Sequence, residues 1–242
     1  MTRLVKCCLN GSRTRAEHPS LPITAEELAL EAAAAVAAGA WALHMHPRDA
    51  TGAQTLAARW CDAAVAAVRA ACPGTPVGLS TAAWIEPHLE RRLGLVSAWR
   101  ECPDFCSVNL SEPGSERVME TLWAHGIGVE AGLASVEDAR LLGALEVAPR
   151  CVRVLVEIDS VDDSAAACRL ALEIDAALDA AGITVDRLHH GFGPPTWAVI
   201  RQGLRLGHGV RVGLEDVLTL PDGATARGNA DLVAAAVELS GA

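Results

Sequence analysis

Residues 40–49 read Ala-Trp-Ala-Leu-His-Met-His-Pro-Arg-Asp. The first part is a short apolar run that reads as a buried strand, and Pro47, which has no N–H to donate, ends it. Residues two apart on a strand project from the same face, so His44 and His46 aim into one space. Two histidines converging at a strand's end form half of a metal site that needs one more ligand. The competing reading is one core histidine and one surface histidine. His-x-His is a short motif, and its spacing alone leaves both open.

Outward from this stretch the same unit repeats. Apolar runs at 4–10, 40–46, 76–81, 104–110, 128–132, 151–157, 188–191 and 209–215 read as strands. A helical pattern follows each, over about 25–39, 57–71, 87–99, 115–125, 136–145, 164–181, 196–206 and 229–239. The first helix carries a capping box, Thr24 with Glu27, and Gly39 ends it; Ser135 caps the fifth. Eight β-then-α units of roughly 30 residues each predict a (β/α)8 TIM barrel. No linker or charge block divides the chain, so one domain over residues 1–242 is expected. A doubly wound sheet is disfavoured because the first βα turn, Asn10-Gly11-Ser12-Arg13, lacks the G-x-G-x-x-G fingerprint.

Composition narrows the function. With 51% hydrophobic and 21% charged residues the chain can bury a large core and is not disordered. A net charge of −10 argues against nucleic acid and membrane surfaces as partners. The eight cysteines read as reduced thiols rather than a disulfide set. Residues 1–3 lead straight into a strand with no secretory segment, and Cys102 and Cys106 have no companion pair at zinc-finger spacing. The Ala-rich stretches are too short to span a membrane, and a cytoplasmic protein is expected.

In a barrel of this kind the active site lies at the C-terminal ends of the strands. Those positions hold Asn10, His44 and His46, Ser80 and Thr81, Ser107 and Asn109, Glu130, Glu157, His189 and His190, and Arg211, Glu215 and Asp216. Each such group buried without a partner would cost about 1–3 kcal/mol, so their collection at one end favours a site. Alternation with Arg211 and Gly213 makes Glu215 the leading third ligand, with His189 or His190 competing, and the alternative for Glu215 is a buried ion pair with Arg211 four residues earlier; two His and one carboxylate leave a catalytic open position. Asp216, at the strand-to-loop turn, is placed as a general base. Glu130 and Arg211 are candidates to hold and charge-balance a substrate, with Ser80 and Ser107 as hydrogen-bond donors. His18, His88, His125 and His208 read as surface or loop residues, and Arg48-Asp49 as a loop-fixing pair.

With these residues in hand the chain resembles the β-keto acid cleavage enzyme family, whose named member is the 3-keto-5-aminohexanoate cleavage enzyme. The matching pieces are Leu9-Asn10-Gly11, His44-Met45-His46-Pro47-Arg48-Asp49, Ser80-Thr81, Ser107-Val108-Asn109-Leu110, Gly128-Val129-Glu130 and Arg211-Val212-Gly213-Leu214-Glu215-Asp216. The resemblance implies a zinc-bearing barrel, assembled as a dimer or tetramer, that joins a β-keto acid to acetyl-CoA and gives acetoacetate and a new acyl-CoA. It assigns zinc to His44, His46 and Glu215, and the base to Asp216. Ser80, Ser107, Glu130 and Arg211 would position substrate and stabilise charge, with Asn10, Arg13 and Asn109 as substrate contacts. A zinc hydrolase acting on a small carbonyl or amide substrate is the alternative. One departure bears on specificity. Where the aminohexanoate enzyme places an acid for the substrate amine, this chain reads Ser12-Arg13-Thr14-Arg15. An anionic or neutral substrate side chain near Arg13 or Arg15 is therefore expected.

Overall fold

Eight parallel strands pair in chain order and close on themselves, β1 bonding to both β2 and β8. The computed structural model describes residues 4–241. Residues 1–3, read above as leading directly into the first strand, lie outside it, as does residue 242. The strands are β1 (Val5–Cys8), β2 (Ala42–Met45), β3 (Val77–Ser80), β4 (Phe105–Asn109), β5 (Gly128–Leu133), β6 (Arg153–Ile158), β7 (Arg187–Gly191) and β8 (Gly209–Val212). The helices between and after them are α1 (Ala25–Ala37), α2 (Ala58–Ala71), α3 (Leu89–Ser97), α4 (Ser115–Ala124), α5 (Val136–Ala144), α6 (Ser164–Ala180), α7 (Thr196–Leu206) and α8 (Asn229–Ser240). This is a (β/α)8 TIM barrel. Among the described residues no helix is long and apolar enough to cross a membrane.

Local chemistry explains the elements. Thr24 accepts from the Glu27 N–H and Glu27 reaches back to the Thr24 backbone, the reciprocal cap expected for α1. Leu28, Ala32 and Ala35, at helical spacing, form the buried face of that helix. Ser135 caps α5 through the Asp138 N–H. Both faces of a barrel strand are covered, which is why the strands read as continuous apolar runs rather than as alternation.

The strands stop earlier than their apolar runs. β2 ends at Met45, so His46 stands one residue past it. β8 ends at Val212, and the N–H groups of Asp216 and Val217 both turn back to the Gly213 carbonyl. Glu215 thus reaches the barrel mouth from a turn and not by strand alternation. Gly213 permits the close approach of this turn to β1, since a Cβ there would lie 2.0 Å from the Cys8 carbonyl oxygen.

Beneath the mouth the interior is filled. Lys6 of β1 and Arg153 of β6 both pair with Glu130 of β5, and both cations lie over the Phe105 ring. All four residues are buried. The eight cysteines are free thiols, six of them buried.

Candidate active site

Because β1 pairs with both β2 and β8, the polar ends of those two flanking strands meet across its own end. His44 and His46 are buried, with Nε2 atoms 3.2 Å apart and ring planes 77° to one another. Glu215 Oε2 lies 3.6 Å from His46 Nε2 and 3.9 Å from His44 Nε2. Metal bonds of about 2.0–2.2 Å to nitrogen and oxygen hold neighbouring donors roughly 3–3.5 Å apart, close to this spacing. Glu215 Oε2 is buried without a hydrogen-bond partner, turned toward two imidazole nitrogens. A divalent cation would satisfy it, so the donor set fits one with a further coordination position open to a ligand.

Two supports fix this geometry. Asn10 accepts the His46 backbone N–H and donates to the His46 and Pro22 carbonyls, clasping the ends of β1 and β2. Its side chain therefore serves the backbone and is not available to a substrate, contrary to expectation. Gly11 has φ +56°, and a Cβ there would lie 2.3 Å from Glu215 Cγ, so only glycine leaves room for the carboxylate.

Neither His189 nor His190 joins the trio. They point oppositely, as neighbours on a strand must. His190 faces inward, with Nε2 3.3 Å from Glu157 Oε1 and Nδ1 3.7 Å from Asp216 Oδ1. Burial and the Arg211 charge hold its pKa down at about 3, so it is a neutral imidazole. His189 faces outward and forms a second group with Asp175 and His208. There the two rings are stacked at 10°, 4.7 Å apart. Parallel rings direct their in-plane lone pairs along separate lines, so this arrangement does not converge on one ion as the 77° pair does. Arg187 Nη1 already occupies Asp175 at 2.9 Å.

Arg211 organises the carboxylates. It donates to Glu215, to Asp216 at 2.8 Å, and stands 3.6 Å from Glu157. Burial raises the Asp216 carboxyl above its usual range despite Arg211. For Glu215 burial acts the same way, but Arg211 overcomes it and drives that carboxyl well below its range. Adjacent carboxylates are thus pushed apart: Glu215 toward a permanent anion suited to a ligand, Asp216 toward a proton acceptor.

A cavity of about 360 Å³ opens above the trio, its wall including Ser80, Ser107, Asn109 and Arg211. Trp84 stands at the rim, 59% exposed and stacked on His46. Glu130 is absent from this wall. It sits a layer lower, neutralised by Lys6 and Arg153, because alternation tells which residues point inward but not at what height. Arg13 is turned away as well, donating to the Glu215 and Asp216 carbonyls and to Glu17. Asp216 lies outside the lining, behind Arg211. Elsewhere, His18 is buried against the Ala226 carbonyl rather than exposed, and His208 is half-buried on His189. Arg48 and Asp49 each fix loop backbone separately: Arg48 through the Gly11, Arg13 and Gly52 carbonyls, Asp49 through the Thr51 and Ala53 N–H groups.

Fold and site together define a barrel with a metal-competent His-His-Glu centre at its C-terminal mouth. The chain belongs to the β-keto acid cleavage enzyme family, whose sequence model matches residues 3–144 and 173–242. Among solved structures, ligand-free ObcA superposes with a TM-score of 0.73 at 19% identity, over 89% of this chain and 61% of ObcA. ObcA in binary complex with oxaloacetate gives 0.71 at 20% identity, over 89% of this chain and 62% of that one. A (S)-3-O-geranylgeranylglyceryl phosphate synthase from Thermoplasma acidophilum gives 0.57 at 10% identity, over 98% and 92%. At these identities the likeness is one of fold. The chain spans about three fifths of ObcA's length.

Proposed function

We propose that this protein is a zinc-dependent acyltransferase that converts a β-keto acid and acetyl-CoA into acetoacetate and a new acyl-CoA. The observation that carries this reading is the convergence of His44, His46 and the unpartnered, buried Glu215 oxygen beneath a polar cavity, in a member of this family. Zinc held by these residues would supply Lewis-acid polarisation of the keto group. ObcA has been solved with a C4-CoA adduct and oxalate, and with oxaloacetate, which accords with a keto acid and a thioester as reactants here.

The chain's own groups then divide the work. Asp216 takes the proton from C2 of the keto acid, its carboxyl raised by burial toward a base's range. In the present conformation Arg211 stands between Asp216 and the cavity, so Arg211 must exchange a carboxylate of the protein for that of the substrate as the proton moves. The carbon so freed attacks the acetyl thioester and releases the coenzyme A thiolate. The thiolate attacks C3, the C2–C3 bond breaks, and acetoacetate recovers the proton. The Ser80 and Ser107 hydroxyls, on the cavity wall, donate to oxygens that gain charge in these steps. Assembly as a homo-oligomer belongs to the same proposal.

The test is a coupled assay of zinc-loaded protein with acetyl-CoA and a set of β-keto acids, read as acetoacetate. Turnover that depends on acetyl-CoA and is lost in His46→Ala is expected. Release of acid without any requirement for coenzyme A would instead establish a hydrolase.

A further inference from the structure

His44 and His46 come from β2 and Glu215 from the turn after β8, whereas Glu157 stands on β6, which lies opposite β2 in the closed ring of eight strands. Glu157 lines the cavity with its side chain 16% exposed. Its contacts are long for an anion. A buried carboxylate beside an arginine forms bonds of about 2.7–2.9 Å. Arg211 gives such bonds to Glu215 and Asp216 but stays 3.6 Å from Glu157. The other partner of Glu157 is His190, whose Nε2 lies 3.3 Å from Oε1. That ring is neutral and its Nδ1 is buried without a partner, so the single proton sits on Nε2 and Oε1 accepts it.

The second oxygen, Oε2, borders the space left by the missing side chain of Gly132. A Cβ there would lie 3.0 Å from Glu157 Oε2 and 2.9 Å from Asn109 Oδ1. Asn109 is held in this orientation because its Nδ2 donates to Glu112. Two oxygens facing one gap repel unless one of them carries a proton, and an amide oxygen carries none. Burial raises the Glu157 carboxyl above its usual range, against the charges of Arg211 and Lys6 and with that of Glu215.

Resting on the reaction proposed above, we infer that Glu157 acts as an undissociated acid whose Oε2 hydroxyl donates to the carbonyl oxygen of the acetyl thioester. With the keto acid on the side of the histidines, the thioester falls against β6. As the C2 carbanion bonds to the acetyl carbon, the carbonyl electron pair moves onto oxygen and the Glu157 O–H stabilises that charge. When the carbonyl re-forms, the coenzyme A thiolate leaves and Glu157 keeps its proton. Glu157 lies within residues 145–172, which the family's sequence model does not match.

The experiment compares zinc-loaded wild type, Glu157→Gln and Glu157→Leu, using acetyl-CoA and the keto acid that the wild type turns over best. Leucine removes the donor, so kcat should fall about 100–1000-fold with little change in the KM for acetyl-CoA. Glutamine keeps an N–H donor and should restore kcat to within about tenfold of wild type. A second readout needs no turnover. The infrared difference spectrum of the protein at neutral pH, wild type minus Glu157→Gln, should contain the carbonyl stretch of an undissociated carboxylic acid. A glutamine variant as slow as the leucine one, or carboxylate bands in that spectrum, overturns this inference and leaves the reaction intact. No acetoacetate from the wild type with any keto acid overturns the reaction itself, and with it the thioester as the group Glu157 serves.

Discussion

His46 is held from two sides, its backbone by Asn10 and its ring by Gln54, whose Oε1 meets Nδ1. An amide oxygen only accepts, so Nδ1 carries the proton and Nε2 keeps its lone pair toward Glu215. Gln54→Ala removes that constraint. It should weaken binding of a divalent cation such as zinc at the trio by about 10–100-fold, measured by competition with a chromophoric chelator. Sequence offered little sign of Gln54, because it comes from a loop whose path is set by the Arg48–Gln54 bridge. The ligands themselves were legible, since a polar residue ending an apolar run is conspicuous. Glu130 was misplaced because its partner Lys6 lies 124 residues away, and an inward glutamate looks alike at the mouth and in the core.

Among elements, the turn after β8 is the most constrained. It presents Glu215 and Asp216 in opposite electrostatic states while touching β1 at Gly213. Gly213→Ala would drive a methyl group into the Cys8 carbonyl. A loss of about 1–3 kcal/mol in urea unfolding is expected from such overpacking, together with weaker metal binding as the turn lifts. The helices were easy to place from caps and spacing, as Thr24 with Glu27 illustrates. The strand ends were not. A parallel ladder stops where its neighbours stop offering partners, and β8 leaves the sheet at Val212 although its apolar run continues.

At the scale of the molecule, the thiols give a readout of burial. Burial pushes the Cys7, Cys8 and Cys106 thiols well up and Cys151 to about 11. The chain has no tyrosine and Lys6 as its one lysine, so few other side chains titrate in that range. Unfolded thiols ionise near about 8.5. The native state therefore holds more protons above that pH, and the Cys151 contribution to stability, complete below it, is lost as pH rises through about 11. The urea midpoint should fall between pH 9 and 11, and do so less in Cys151→Ala. Without reductant, all eight cysteines should react with a disulfide reagent in denaturant, and Cys102 and Cys168 should react first in the native protein.

The buried cluster of Lys6, Glu130, Arg153 and Phe105 has a kinetic meaning. Among the described residues it fills the barrel beneath the cavity, so the mouth is the route in and out. What enters past Trp84 leaves by the same mouth, so under the proposed reaction a departing acyl thioester and an arriving keto acid would compete for that passage. Queueing at that threshold, rather than chemistry at the bottom, would then set the pace of turnover whenever product accumulates.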